Sequence, residues 1–254
     1  MGINFYNSSE IKKIAHACEI TANILDEIEY IIKEGITTAY IDERTREISE
    51  KLGAEPAFLG YRGYPGSICT SMNDVVVHGI PSKNTVLKEG DIIGLDFGVY
   101  VDGFYGDSAR TVAVGKVDDN VSLLLNTARE SLYKGIEAAV VGNRISSISA
   151  AVEFHVKQYG FTPVREYTGH GIGRNLHEEP SVPNYASSSS GPKIRNGMVF
   201  AIEPMINVGT HRVNLDRDGW TVRTADGKYS AHYEHTVAVI DGKAEVLTRG
   251  KNFN

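Results

Sequence analysis

Five residues far apart in the chain, Asp96, Asp107, His170, Glu203 and Glu234, stand where ordinary packing would not put them. Asp96 lies in Ile92-Ile93-Gly94-Leu95-Asp96-Phe97-Gly98-Val99, a run with buried-strand composition in which aspartate is a poor strand former. Glu203 interrupts Val199-Phe200-Ala201-Ile202-Glu203-Pro204-Met205-Ile206, and Glu234 does the same in Tyr233-Glu234-His235-Thr236-Val237-Ala238-Val239. His170 belongs to Thr168-Gly169-His170-Gly171-Ile172-Gly173, where glycines let backbone approach a site closely. Ionised carboxylates in apolar surroundings are costly without a compensating cation. Each residue alone has a plain reading as a turn aspartate, a salt-bridged glutamate or a hydrogen-bonded core histidine. Together, four carboxylates and one imidazole suit a pair of divalent ions such as Mn, Fe or Co, with Zn acceptable, rather than a thiolate zinc site.

The segment from Asp91 to Gly115 reads as a hairpin with Asp102-Gly103 at or beside its turn. A loop at Val101-Asp102 would set Asp96 and Asp107 face to face. A loop one residue later would make them diagonal neighbours on the same face, about 7–8 Å apart. Either arrangement brings like charges together. Gly94 and Gly98, on the Asp96 face, are expected to leave room for a ligand.

The elements that must hold these groups come in two similar sets. Ile11, Ile14, Ala15, Cys18, Ala22, Leu25, Ile28 and Ile32 recur at helical spacing and predict a helix from about Ser9 to Glu34, capped by Ser8 or Ser9 and ended by Gly35. A second helix after Thr37 or Thr38 turns Ile41, Thr45, Ile48 and Leu52 inward and stops at Gly53. The plan then returns. Val121, Leu124, Leu125, Ala128, Leu132 and Ile136 lead to Gly142, and Ile145, Ile148, Val152, Val156 and Tyr159 lead to Gly160. Gly35 and Gly142, Gly53 and Gly160, and Gly90 and Gly197 each stand 107 residues apart, and the same offset aligns Asp96 with Glu203. This predicts one domain over 1–254 with an internal duplication, about 8–115 and 116–248. Its fold class is α+β: two halves related by a pseudo-twofold, sharing a sheet covered by helices.

Composition narrows the function. The 254 residues are 41% hydrophobic and 23% charged, which is ordinary globular usage. A net charge of −6 gives no sign of a polyanion-binding protein, and specific nucleic-acid binding is not expected. Two cysteines do not make a disulfide scaffold. Cys18 falls on the apolar stripe, and Cys69 reads as a pocket-lining thiol rather than a nucleophile. No signal peptide and no membrane-spanning run is evident, so a cytoplasmic protein without membrane association is expected. His177-Glu178-Glu179-Pro180 lacks a second histidine at zincin spacing, and there is no Walker loop or Gly-x-Ser-x-Gly elbow.

In this order and with these flanks, the five residues resemble the dimetal site of the methionine aminopeptidases of type I, in peptidase family M24. The resemblance runs over essentially the whole chain. It includes Gly63-Tyr64-Pro65, His78-Gly79-Ile80-Pro81, Asp102-Gly103-Phe104-Tyr105-Gly106-Asp107 and His177-Glu178-Glu179-Pro180. The short spacing from His170 to Glu203 leaves no room for the type II insertion. The early first helix is expected to exclude an amino-terminal extension. The resemblance implies the pita-bread fold and removal of the initiator methionine from nascent chains whose second residue is small. Asp107 and Glu234 would bridge two divalent ions (Co, Mn, Fe, Zn or Ni), with Asp96 on one and His170 and Glu203 on the other. Glu203 would also shuttle a proton, His177 would stabilise the oxyanion, and His78 would contact the scissile amide. Tyr61, Tyr64, Cys69 and Trp220 would line the methionine pocket, with Leu176 where some relatives carry an aromatic residue. A monovalent cation near Asn73, Val75 and Ser230, a monomeric state and contact with the ribosome belong to the same resemblance. Its own Met1-Gly2 start fits the small-second-residue rule. The rivals are a proline-specific M24 exopeptidase and a non-catalytic pita-bread binding module. His16, His155, His211, His232 and His235 receive no role.

Overall fold

The computed structural model describes residues 2–251, so Met1 of the Met1-Gly2 junction lies outside it. Four long helices form where apolar periodicity predicts them. Helix α1 (Ser8–Ile31) is capped by Asn7 rather than by a serine. The Asn7 side chain accepts from the Ser9 and Glu10 amides, while the Glu10 carboxylate accepts from the Asn7 amide. It ends at Ile31, short of Glu34, because Gly35 donates its N–H to Leu87 O and Ile36 O accepts from Leu87. Helix α2 (Thr38–Lys51) is capped by Thr37, α3 (Asp119–Ala138) by Asp118, and α4 (Ile145–Gln158) follows Arg144. Leu52 and Tyr159, expected inward, are exposed instead, since each is the residue just past its helix's last turn.

Among the described residues, the main sheet has nine strands. The central run is Ile92–Val101, Phe104–Ala113, Glu234–Ile240, Val199–Ile202 and Gly169–Gly171. Glu55–Pro56 and Cys69–Met72 flank the first of these, Glu178–Val182 the last, and Lys243–Val246 pairs with Glu234–Ile240. Every pairing is antiparallel.

Alternation along the strands separates core from cleft. Ile93, Leu95, Phe97 and Val99 join Ile24, Leu25, Ile28 and Ile41 of α1 and α2 in one apolar cluster. Phe200, Ile202, Val237 and Val239 join Leu124, Leu132, Ile148 and Val152 of α3 and α4 in another. Helices therefore cover one face of the sheet and leave Asp96, Glu203 and Glu234 on the other.

At one point α1 rests directly on the hairpin. A Cβ added to Gly106 would stand 2.6 Å from Cys18 N and 2.7 Å from Ala17 C, and the Thr21 hydroxyl donates to Gly106 O. Backbone meets backbone here, so neither side can yield. Gly106→Ala is expected to destabilise the fold by about 1–3 kcal/mol, read as a lowered urea midpoint; an unchanged midpoint contradicts this packing.

Candidate metal centre

Strand register alone collects the five predicted groups. Asp96 pairs with Ala109, and Ala109 with Glu234. His235 pairs with Ile202, which brings Glu203 beside Glu234. Asp107 is two residues from Ala109 and shares its face. The hairpin turns at Asp102-Gly103, with left-handed φ of 52° and 86°, so Asp96 and Asp107 take the diagonal arrangement. Gly171 pairs with Phe200, which sets His170 level with Ala201 on the same side as Glu203. Gly98 is not ligand space: a Cβ there would meet Gly106 O at 2.9 Å, Asp107 Oδ1 at 3.2 Å and the Phe58 ring at 3.2 Å. Its absent side chain makes way for the Asp107 carboxylate itself.

This cluster is electrostatically unstable without a cation. Burial pushes the Asp107 and Glu234 carboxyls well above the usual range, and neighbouring carboxylates push them further. Asp96 and Glu203 are raised as well, chiefly by burial, although His232 acts against the rise at Asp96 and His170 at Glu203. Asp107 Oδ1 and Glu234 Oε1 are buried without a hydrogen-bond partner. No Lys or Arg forms an ion pair with any of the four carboxylates among the described residues. His170 donates from Nδ1 to Gly171 O at 3.0 Å, because a carbonyl can only accept. That fixes the tautomer and leaves Nε2 free to bind an ion.

A cleft of about 340 Å³ opens above the cluster and is lined by every one of the predicted site residues: Asp96, Asp107, His170, Glu203 and Glu234 on the floor, His78, His177, Tyr61, Tyr64, Cys69 and Trp220 on the walls. His177 Nδ1 is 2.9 Å from the Tyr61 hydroxyl, and its ring packs 4.2 Å from that of His170. Burial pushes the His177 pKa down to about 3, with His170, Arg62 and His78 adding to the fall. His78 has φ +58°, which is strained for a non-glycine residue, and its ring meets Tyr167 and Trp220 edge-on. Its pKa falls to about 4, through burial and then His232. The Tyr64 hydroxyl donates to Gly79 O, and Tyr64 packs edge-on against Trp220. Cys69, paired in register with Asp96, has its thiol pushed well up by burial and by that carboxylate, so it is no thiolate nucleophile.

Residues 12–241 match metallopeptidase family M24. The chain belongs to metallopeptidase family M24. A protein named methionine aminopeptidase from Borreliella burgdorferi is 51% identical over 95% of this chain and 96% of its own length. The crystal structure of a methionine aminopeptidase from Thermotoga maritima superposes with TM-score 0.95 at 42% identity, covering 98% of this chain and 100% of that one. The prolidase from Pyrococcus furiosus, at 22% identity and TM-score 0.80, covers 98% of this chain but only 66% of its own, and shares the pita-bread fold alone.

Members of M24 depend on divalent metal, and the donor set of this one fits such an ion. Asp107, His170 and Glu234 each offer a ligand atom within 4.8 Å of the others, and the two orphaned carboxylate oxygens belong to this group. Asn73, Val75 and Ser230 are not part of the cleft lining. Asn73 O accepts from the Ser230 amide, next to the strand that begins at Val75. Sequence reasoning missed His232. It is buried, with Nε2 unpartnered and 3.6 Å from Glu203 Oε2. The available signal was its spacing of two from Glu234, which suggests the same sheet face. Glu166, Tyr167, Thr168 and Met205 also line the cleft and carry no motif that marks them.

The raised carboxyl pKa values fix a sign. Unfolded Asp and Glu titrate near pH ~4, whereas folded, metal-free Asp96 and Glu203 titrate at about 7. The stability linked to their protonation is therefore complete below about pH 4 and is lost as pH rises through about 7. A divalent ion held beside these carboxylates would take the place of those protons. The gain in Tm on adding Mn is expected to be larger at about pH 8 than at about pH 6, measured by calorimetry on chelated and reloaded protein. An equal gain at both values would contradict the assignment.

Proposed function

We propose that this chain is a type I methionine aminopeptidase that removes the initiator methionine from nascent chains with a small second residue. The observation that carries the reading is the cleft itself: beside its carboxylates and His170 it is lined by the aromatic side chains of Tyr61, Tyr64 and Trp220 and by the Cys69 thiol. A slim apolar pocket of this kind suits an unbranched thioether. Asp107 and Glu234 would bridge two ions, with Asp96 completing one shell and His170 with Glu203 the other. Any of Co, Mn, Fe, Zn or Ni fits such donors. When bound, the ions supply Lewis acidity and lower the pKa of the attacking water.

The chain's own residues supply the rest. Glu203, whose carboxyl pKa is raised, would take a proton from the water at a carboxylate oxygen and return it to the leaving amine. In the tautomer whose Nδ1 accepts from the Tyr61 hydroxyl 2.9 Å away, the neutral His177 ring would present Nε2–H as a donor to the oxyanion. His78, held by its strained backbone at the pocket wall, would contact the scissile amide. The same proposal treats the chain as one catalytic domain of two halves, about 8–115 and 116–248. Its support is that each half brings a helix pair and a carboxylate, Asp96 within the strand Ile92–Val101 and Glu203 just past the end of Val199–Ile202. A monovalent cation near Asn73, Val75 and Ser230, a cytoplasmic monomer and contact with the ribosome complete it.

Chelated protein reloaded with Mn, Co or Fe is expected to release methionine from Met-Ala and Met-Gly peptides, and not to cleave Xaa-Pro dipeptides at a comparable rate. The reverse preference would overturn the reading. His177→Ala is expected to lower kcat by roughly 10²-fold with a small change in KM. Asp107→Ala should reduce the number of ions held after dialysis, measured by metal analysis; unchanged stoichiometry would remove Asp107 from the bridge.

A further inference from the structure

The segment carrying His177, between strands Gly169–Gly171 and Glu178–Val182, is tied to the first residues of the chain. Glu178, the neighbour of His177, has a carboxylate that accepts from the Tyr6 hydroxyl at 2.8–2.9 Å, from the Asn4 side-chain amide at 2.8 Å and from the Asn175 backbone amide at 3.0 Å. The Tyr6 hydroxyl in turn accepts from the Arg174 backbone amide at 3.1 Å. One oxygen thus donates to Glu178, at the end of the segment, and accepts from Arg174 within it.

Packing leaves that oxygen little freedom. Tyr6 is 6% exposed, its ring lies edge-on to Phe104 at 6.1 Å, and its amide donates to Gly197 O at 2.7 Å. A Cβ on Gly173 would collide with the Tyr6 hydroxyl, so the segment and the ring fit only with glycine there. Burial pushes the Tyr6 pKa up to about 12, so the hydroxyl remains a donor at working pH. The Asn7 cap of α1 follows at once, and Arg174 pairs with Glu10 on that helix.

We propose that Tyr6, acting through Glu178, is a positioning residue that sets the orientation of His177 in the cleft. The chain's first residues therefore form a strap that holds the proposed oxyanion donor from behind. In kinetic terms the inference rests on the aminopeptidase reading, because His177 is the group being aimed; its structural content does not.

Tyr6→Phe removes one oxygen and keeps the ring against Phe104. It is expected to lower kcat on a Met-Ala peptide roughly tenfold or more, with KM within about twofold and little change in Tm. In a His177→Ala background the same substitution should add no further loss, since the effect passes through that ring. Glu178→Gln, which keeps an acceptor for Tyr6, should lose less than Glu178→Ala. Independently of activity, the ring-nitrogen resonances of His177 in zinc-loaded, histidine-labelled protein should move toward tautomer-averaged values in Tyr6→Phe. Unchanged resonances, an unaltered kcat, or losses that simply multiply in the double variant would overturn the strap. If the wild type releases no methionine while the resonances still move, the aminopeptidase reading fails and the positioning stands.

Discussion

Four carboxylates packed onto one face of a buried sheet repel one another, and burial in protein weakens the solvation that would otherwise screen them. Much of the structure can be understood as arranged around that repulsion. The groups are not neutralised by lysine or arginine among the described residues; they are left raised in pKa, with oxygens unpartnered. A surface cluster of this kind could relax by rotating into water. Here Asp107 and Glu234 are 4% and 2% exposed and cannot, so the energy of the arrangement passes to whatever cation fills it.

Holding the cluster is the work of the opposite face. The alternate residues of the same strands are packed under two pairs of helices in two apolar clusters, while cleft residues such as Phe58, Tyr64, Leu176 and Met205 belong to smaller ones. Fold and chemistry thus use different sides of one set of strands. Three wall residues, His78, Tyr61 and His177, come from turns and loops, where they are held by strain, stacking and the ties around Glu178. Groups carried on or beside paired strands are held precisely, whereas groups carried on loops have more room to vary.

The strands and helices were legible because apolar spacing is local information. So was the anomaly of Asp96 and Glu203 inside apolar runs. The face shared by all five groups was only half legible. The hairpin arithmetic left two loops open, and the left-handed backbone at Asp102-Gly103 decides between them. His232 was legible only in part: its spacing of two from Glu234 suggests a shared face, but only strand pairing shows that this face is the one carrying the carboxylates. Gly98 was assigned to ligand space when it makes room for Asp107, a contact set by the partner strand. Tyr6 carried no signal at all, since its partner Glu178 is 172 positions away.

Alternation has a further consequence for the strand Glu234–Ile240. His235 follows Glu234 and points to the helix side, where it meets Tyr133 and Thr248. Sliding that strand by one place would bury the carboxylate among helices and offer the cleft an imidazole instead. A mispaired molecule would forfeit a cleft carboxylate and the helix-side hydrogen bonds of His235 at once, so misassembly would yield inert and unstable chains rather than sluggish catalysts.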